Sequence, residues 1–169
     1  MTELRIGDQL IRFDQEATVA AYSQIQHGDA ERCACAGCRN FIASRALAFP
    51  DVFRTLLADL GVNENKEGET VHYGPVEGNV HFYGGWFYFV GELIEAGERL
   101  TTIPLVGSQA LMRPLPGPRE SFQYWFSMSF ARPPAIFGSK VGAVEFSTLL
   151  PWIIDADPMA DFRPAAKPE

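Results

Sequence analysis

The sequence predicts an α+β domain in which short N-terminal helices pack on an antiparallel, aromatic-rich sheet of about five or six strands. Aromatic residues are abundant, with 13 Phe, 5 Tyr and 3 Trp among 169 residues, and such side chains favour pleated, half-buried strands. Helical spacing of apolar residues falls between residues 14 and 60, whereas period-two alternation dominates afterwards. Helices that precede strands, without βαβ alternation, favour α+β over α/β.

The first predicted elements are extended structure and a helix. Residues 3–13 alternate loosely around Gly7-Asp8, which predicts a short hairpin or one bent strand. Asp14 follows as a good N-cap, because its side chain can accept a backbone N–H from the first helical turn. We expect this helix to end near Gly28. Its apolar face contains Ala17, Ala21 and Ile25.

Two further short helices are predicted to meet at a tight corner. From Gly37 to Ala48 the apolar residues recur at helical spacing. The run Phe49-Pro50-Asp51 interrupts this pattern, since a residue before proline is pushed out of the α region. A new helix then begins with Pro50 or Asp51 in its first turn, and Gly61 is placed to be its C′ residue. The side chains that this helix is expected to bury are Phe53, Leu56, Leu57 and Leu60.

The rest of the chain predicts strands. Five segments combine aromatic or alternating residues with glycine or proline at their borders: 69–74, 79–83, 86–94, 120–130 and 143–150. The Gly84-Gly85 pair lies between two aromatic runs and predicts a two-residue hairpin, because the favoured hairpin turns need positive φ. Pro151-Trp152 ends the last strand or places it at an edge of the sheet.

The length of the chain is typical of one domain. No internal repeat or second boundary is visible in the sequence. From Asp155 onward proline, alanine and charged residues dominate, as in many frayed termini. The sequence therefore predicts a single globular domain over residues 1–155 and a flexible tail over 156–169.

Charge and cysteine content limit the partners and the compartment. The net charge is −7, and no segment is basic enough to neutralise several phosphates, so we expect neither nucleic acid nor membrane as a partner. No apolar run approaches the ~18–20 residues that span a bilayer. The first residues lack the pattern of a secretory signal, and three clustered cysteines do not suit a secreted disulfide scaffold. These observations predict a cytoplasmic protein with a protein or small-molecule partner.

One segment is chemically distinctive, the cluster Cys33-Ala-Cys35-Ala-Gly-Cys38. Thiolates are soft ligands that bind zinc strongly, and a tetrahedral zinc site needs four donors. The three cysteines can supply three donors from one loop and the start of one helix. A fourth donor would come from a histidine, a carboxylate or water. His27 is the histidine nearest in sequence, whereas His72 and His81 lie on predicted strands and are more typical of sheet residues.

The same cysteines allow two other interpretations. If Cys38 lies in the first turn of a helix beside Arg39, the helix N-terminus and the cation would lower its thiol pKa and favour a nucleophilic thiolate. Disulfide exchange between Cys35 and Cys38 would then be possible, although the strand and long helix that frame a thioredoxin motif are not predicted. Alternatively, the three thiols only fill space in a buried corner.

Beyond the cysteines, the chemistry in the sequence is sparse. The sequence contains no nucleophile elbow, phosphate-binding loop or zinc-protease motif, which favours a protein that is not an enzyme. The face with Trp125, or Trp86 with Tyr88, could line an aromatic ligand cleft, but core packing is the ordinary role of such stripes. The sequence thus predicts a binding or interaction module with a zinc site at its cysteine cluster. A thiol-dependent redox protein and an aromatic ligand cleft are the alternatives.

Four parts of the chain resemble a family of uncharacterised bacterial proteins. The first is Cys35-Ala-Gly-Cys38-Arg39-Asn40-Phe41, and the second contains Phe53, Leu56-Leu57 and Leu60-Gly61-Val62. The third runs from Gly74-Pro75-Val76-Glu77-Gly78 to Tyr83-Gly84-Gly85-Trp86-Phe87-Tyr88-Phe89-Val90-Gly91, and the fourth is Glu145-Phe146-Ser147 followed by Leu150-Pro151-Trp152. The resemblance covers most of residues 30–155. It implies one compact bacterial domain, and it carries over no activity, cofactor or site residue.

Overall fold

A computed structural model describes residues 1–98, 101–104, 121–128 and 133–162. These residues form five helices and seven strands, which confirms the α+β class. The helices are α1 (Gln15–Ser23), α2 (Asp29–Arg32), α3 (Ala36–Ala43), α4 (Arg45–Ala48) and α5 (Asp51–Asp59). The strands are β1 (Thr2–Ile6), β2 (Gln9–Phe13), β3 (Glu69–Glu77), β4 (Val80–Glu95), β5 (Thr101–Pro104), β6 (Ser121–Met128) and β7 (Val141–Pro151). None of the helices in these ranges is long and apolar enough to cross a membrane.

The sheet is antiparallel and is built around β4. Its strand order is β1-β2-β4-β7-β6-β5, and β3 also pairs with β4. On one edge of β4, residues 80–86 pair with β3 and residues 91–95 pair with β2, while the other edge pairs with β7. The sheet has one more strand than the upper limit predicted, because the hairpin alternative at residues 3–13 is the correct one and β5 adds a short strand beside β6.

Helix α1 closes the stretch of β4 between β3 and β2. The hydroxyl of Tyr22 accepts the backbone N–H of Tyr88 at 3.2 Å and donates to the carbonyl oxygen of Tyr88 at 3.0 Å. The hydroxyl of Thr18 accepts the N–H of Val90 at 3.0 Å. Buried backbone groups need such partners, so the side chains of α1 take the place of a missing strand.

The predicted hairpin at Gly84-Gly85 is wrong, because β4 runs without a break through both glycines. A Cβ atom on Gly85 would lie 2.3 Å from the carbonyl oxygen of Glu69 and 2.9 Å from the ring of Phe146. The glycine is thus required by close packing against β3 and the core, and not by a turn. The turn that joins β3 to β4 contains Gly78, whose φ is +57°.

The helices follow the sequence prediction with three differences, one of which is that α2 occupies a segment predicted as a loop. Asp14 caps α1 by accepting the N–H of Ala17 at 2.9 Å, but this helix ends at Ser23, before Gly28. The segment 36–48 forms two helices that meet at Ser44. Helix α5 starts after Pro50 as predicted, and Gly61 follows its end with a φ of +79°.

Aromatic rings form the core between the helices and the sheet. Phe49, between α4 and α5, is 2% exposed and lies at the centre of this cluster. The rings around it are Phe41, Phe53, Phe87, Phe122 and Phe146. Phe41 is in turn 5.7 Å from Tyr83, between ring centroids. This pair anchors α3 on β4 and thereby fixes the helix that carries the cysteines.

The chain beyond β7 returns across α3. The side chain of Asn40 donates to the carbonyl oxygen of Pro151 at 3.0 Å and accepts the N–H of Ile153 at 2.8 Å. A single 3-10 turn at Ala160–Phe162 then reaches the N-terminus of α3. Packing therefore continues past the predicted boundary at residue 155. Of the predicted tail, residues 163–169 lie outside the described residues, as do residues 120, 129 and 130 of the predicted strand 120–130.

Candidate metal centre

The sulfur atoms of Cys33, Cys35 and Cys38 all lie within 4.8 Å of one another, so the three cysteines are positioned to hold a metal ion. Cys33 is the C-cap residue of α2, Cys35 is the N-cap of α3 and Cys38 lies in the first turn of α3. The sequence predicted these donors on one loop and the start of one helix, and in the structure a sharp change of direction between two short helices brings all three side chains to one corner.

The corner is fixed to the sheet through α2. Asp29, the first residue of α2, donates its backbone N–H to the carbonyl oxygen of Glu67 at 2.9 Å. Its carboxylate accepts the N–H of Thr70 at 3.0 Å. These two bonds tie the start of α2 to the start of β3, so the cysteines that follow occupy a defined position over the sheet.

A backbone N–H group points at one of the sulfurs. The sulfur of Cys35 accepts the N–H of Cys38 at 3.3 Å, in the position that a serine or aspartate oxygen takes in most helix caps. Hydrogen bonds of this kind favour the ionised form of the acceptor.

The three thiols differ in ionisation. The backbone of Cys35, followed by the neighbouring thiols, lowers the pKa of Cys33. Burial raises the pKa of Cys35, and burial followed by hydrogen bonding to the other two cysteines raises the pKa of Cys38 far above its ordinary value. The predicted activation of Cys38 by Arg39 and the helix N-terminus is therefore wrong. Cys38 is only 5% exposed, and loss of hydration outweighs the helix, while the Arg39 side chain is exposed to solvent.

The walls of the corner are mostly apolar. Ala30 and Ala36 are buried, at 0% and 4% exposure, and Cys33 and Cys35 pack against the main hydrophobic core. A carboxylate stands at one side, since Asp161 accepts the N–H groups of Ala36 at 3.3 Å and Gly37 at 2.8 Å. Sequence reasoning missed Asp161, because it falls in the predicted tail and nothing in its local pattern indicates a contact with α3.

His27, the predicted fourth ligand, is not brought into the sulfur group. Its Nδ1 atom lies 3.0 Å from the carboxylate of Glu31, four residues further along the chain, and its side chain is exposed. The imidazole lines a different feature, a cavity of about 550 Å³ whose walls include Tyr22, Lys66 and Tyr88. Of the residues that the sequence indicated for an aromatic cleft, Tyr88 is in those walls and Trp86 and Trp125 are not.

His72 and His81 form a pair of their own behind α3. Nε2 of His72 lies 2.8 Å from Nδ1 of His81, and the His72 ring stacks on Tyr83 at 4.7 Å between centroids. Burial, with a further contribution from His81, lowers the pKa of His72 to about 4. A Cβ atom on Gly37 would lie 2.6 Å from Nδ1 of His72. Only a glycine between Cys35 and Cys38 lets α3 approach this imidazole.

The donor set is therefore three sulfurs. All three cysteines and all three histidines of the chain fall within the described residues, and no other cysteine, histidine or carboxylate in those ranges joins the group. A tetrahedral ion at this corner would take its fourth ligand from water or from another molecule. The cysteines belong to the soft class of ligands, which selects zinc and other thiophilic ions.

Comparison with known proteins found no matching family model, no matching curated protein and no matching solved structure.

Proposed function

We propose that the protein is a small cytoplasmic binding or interaction module whose corner at Cys33, Cys35 and Cys38 holds a zinc ion. The observation that carries this proposal is the convergence of the three sulfurs within 4.8 Å. Three thiolates match the preference of zinc for soft donors, and the predicted catalytic alternative loses its premise because Cys38 is buried with a raised pKa.

The ion would join two consecutive helices. Cys33 ends α2, while Cys35 and Cys38 begin α3. Three bonds to one ion would fix the angle between the helices, in the way that structural zinc sites contribute free energy of folding. The fourth position of the ion, filled by water or by a donor from a partner, supports a role in binding.

The metal content of the purified protein tests this proposal. We expect stoichiometric zinc in the natural sequence, prepared without chelators, and loss of that zinc in a Cys35→Ser/Cys38→Ser double variant. Ala43→Ser is a matched control, because it adds a serine to an exposed position of the same helix and removes no sulfur. His27→Ala should keep its zinc, since His27 lies outside the sulfur group. Equal, sub-stoichiometric zinc in all four proteins would contradict the proposal.

A further inference from the structure

The cysteine corner offers three soft donors and no fourth one within the described residues. Zinc completes its shell with four ligands, so the three cysteines alone leave one coordination position of a zinc ion unfilled. Trivalent arsenic and antimony differ in this respect. Each forms three bonds to sulfur in a pyramid and carries a lone pair in place of a fourth ligand. Three cysteines within 4.8 Å of one another therefore complete the shell of such an ion.

The net charge of the complex also favours a trivalent ion over zinc. Zinc with three thiolates carries one net negative charge, whereas a trivalent ion with three thiolates is neutral. Cys38 is buried, and Cys33 and Cys35 are partly buried against the hydrophobic core, where burying a net charge is costly. The carboxylate of Asp161 accepts the N–H groups of Ala36 and Gly37, the two residues that follow Cys35. Its negative charge makes a further negative charge at the corner less favourable.

Of the three arginines near the corner, Arg39 is exposed to solvent and the other two are paired with carboxylates. Arg32 is paired with Asp29 at 3.6 Å, and its side chain is 64% exposed. Arg45 is paired with Glu31 at 3.3 Å and with Glu67 at 2.8 Å. A neutral complex fits these surroundings better than an anionic one.

We propose that Cys33, Cys35 and Cys38 bind trivalent arsenic or antimony, taken up as the neutral hydroxide, and that such an ion displaces zinc from the same three sulfurs. The proposal rests on the proposed function in one respect, namely that these cysteines act together as ligands. In the reaction with arsenite, three S–H and three As–O bonds break while three As–S and three O–H bonds form. Three water molecules leave, each made from an arsenic-bound hydroxyl and a thiol proton. Arsenic and sulfur keep their oxidation states, so the step needs no oxidant or reductant.

The test uses two probes on the full chain. Arsenite has three groups that thiols can replace, whereas the hydrated form of phenylarsine oxide has only two. We expect the natural sequence to bind one arsenite, with loss of all three free thiols and with the mass gain of one arsenic atom less three hydrogens. Each single variant, Cys33→Ser, Cys35→Ser and Cys38→Ser, should bind arsenite at least about tenfold more weakly, which corresponds to roughly 1.4 kcal/mol.

Phenylarsine oxide provides the control for folding. The single variants keep two cysteines, so they should still bind this probe one to one if the corner is folded. Ala43→Ser should bind both probes like the natural sequence. The proposal is overturned if the natural sequence fails to bind arsenite, or if the single variants bind arsenite as tightly as it does, because two thiols would then suffice.

The result also separates this proposal from the one on zinc. Protein loaded with zinc should release the metal to a chromogenic chelator when arsenite is added. Zinc binding without arsenite binding would overturn the present proposal and leave the zinc site standing. Arsenite binding without zinc binding would support the present proposal and overturn the proposal of a zinc site. Binding of neither ion would overturn both.

Discussion

The carboxylate of Asp161 accepts the backbone N–H of Gly37 at 2.8 Å, across a sequence separation of 124 residues. Asp161 also accepts the N–H of Ala36 at 3.3 Å. Both donors lie in the first turn of α3, where no preceding residue of the helix can bond them. A distant side chain thus completes the cap that Cys35 begins.

Replacing Asp161 tests this second cap. Asp161→Ala should lower the free energy of unfolding by about 1 kcal/mol, the usual cost of a lost N-cap acceptor. Asp161→Asn keeps an acceptor oxygen and should lose clearly less. Chemical denaturation of both variants and the natural sequence is the measurement. Equal stabilities for Asp161→Ala and the natural sequence would mean that the contact does not contribute to folding.

The unbroken course of β4 through Gly84-Gly85 makes a second prediction. Gly85→Ala should destabilise the protein by about 1–3 kcal/mol, because the added methyl group overlaps the backbone of Glu69 and the ring of Phe146. Gly78→Asn should cost little, since Gly78 is in a turn with open space around it and asparagine tolerates positive φ. Thermal unfolding of the two variants compares them. A larger loss of stability in Gly78→Asn than in Gly85→Ala would contradict the unbroken strand at Gly84-Gly85.

The hydroxyl of Tyr22 bonds the backbone of β4 at Tyr88, where neither β3 nor β2 pairs with this strand. Tyr22→Phe should destabilise the protein by about 1–3 kcal/mol, because the buried N–H and C=O groups of Tyr88 lose their partner. Tyr73→Phe is the matched control, since Tyr73 is 59% exposed and loses only a hydroxyl on the surface. A similar small effect of both changes in equilibrium denaturation would argue against α1 as a substitute for a strand.

The buried imidazole of His72 predicts a dependence on pH. Burial and His81 lower its pKa to about 4, although the nearby carboxylate of Asp161 acts to raise it. An unfolded histidine titrates near ~6.5. The other groups around it are the rings of Tyr83, Trp152 and Phe162. Between those two pKa values the unfolded chain binds a proton that the folded protein does not. Stability is therefore complete above pH ~6.5 and falls as the pH drops through this window.

The ring resonances of His72 in a proton NMR titration measure this directly. We expect a midpoint well below the ~6.5 of an unfolded histidine. In His72→Gln, the loss of stability between about pH 6.5 and pH 4 should become smaller. A His72 midpoint near ~6.5 would contradict the buried, neutral state of this imidazole.

Local sequence signals predicted the elements whose causes are local. Asp14 and Gly61 mark helix ends because capping depends on a few neighbouring residues. The cysteine corner belongs to the same group, since residues 33–38 need only one turn between two helices to converge. Alternation also predicted β6 and β7. One face of β6 is buried in the core, whereas nearly every residue of β7 is buried.

The features that sequence reasoning missed depend on contacts between distant segments. Gly84-Gly85 has the composition of a turn, and only the position of Glu69 and Phe146 reveals why glycine is needed there. The pairing of His72 with His81 requires the register of β3 on β4. Asp161 meets α3 only after the chain has left β7. Periodicity and spacing carry no information on such contacts.

The placement of β4 has a consequence for how the molecule opens under native conditions. β3, α1 and β2 divide one edge of this strand among them, and β7 covers the other edge along residues 80–90. Fraying of one neighbour releases only the β4 groups that it bonds and leaves the rest paired. The amides of β4 that bond β7 should accordingly exchange with solvent deuterium mainly when the whole protein unfolds. Tyr83, on which α3 rests, lies in that slowest-exchanging stretch, so the cysteine corner can loosen and close again over a support that stays folded.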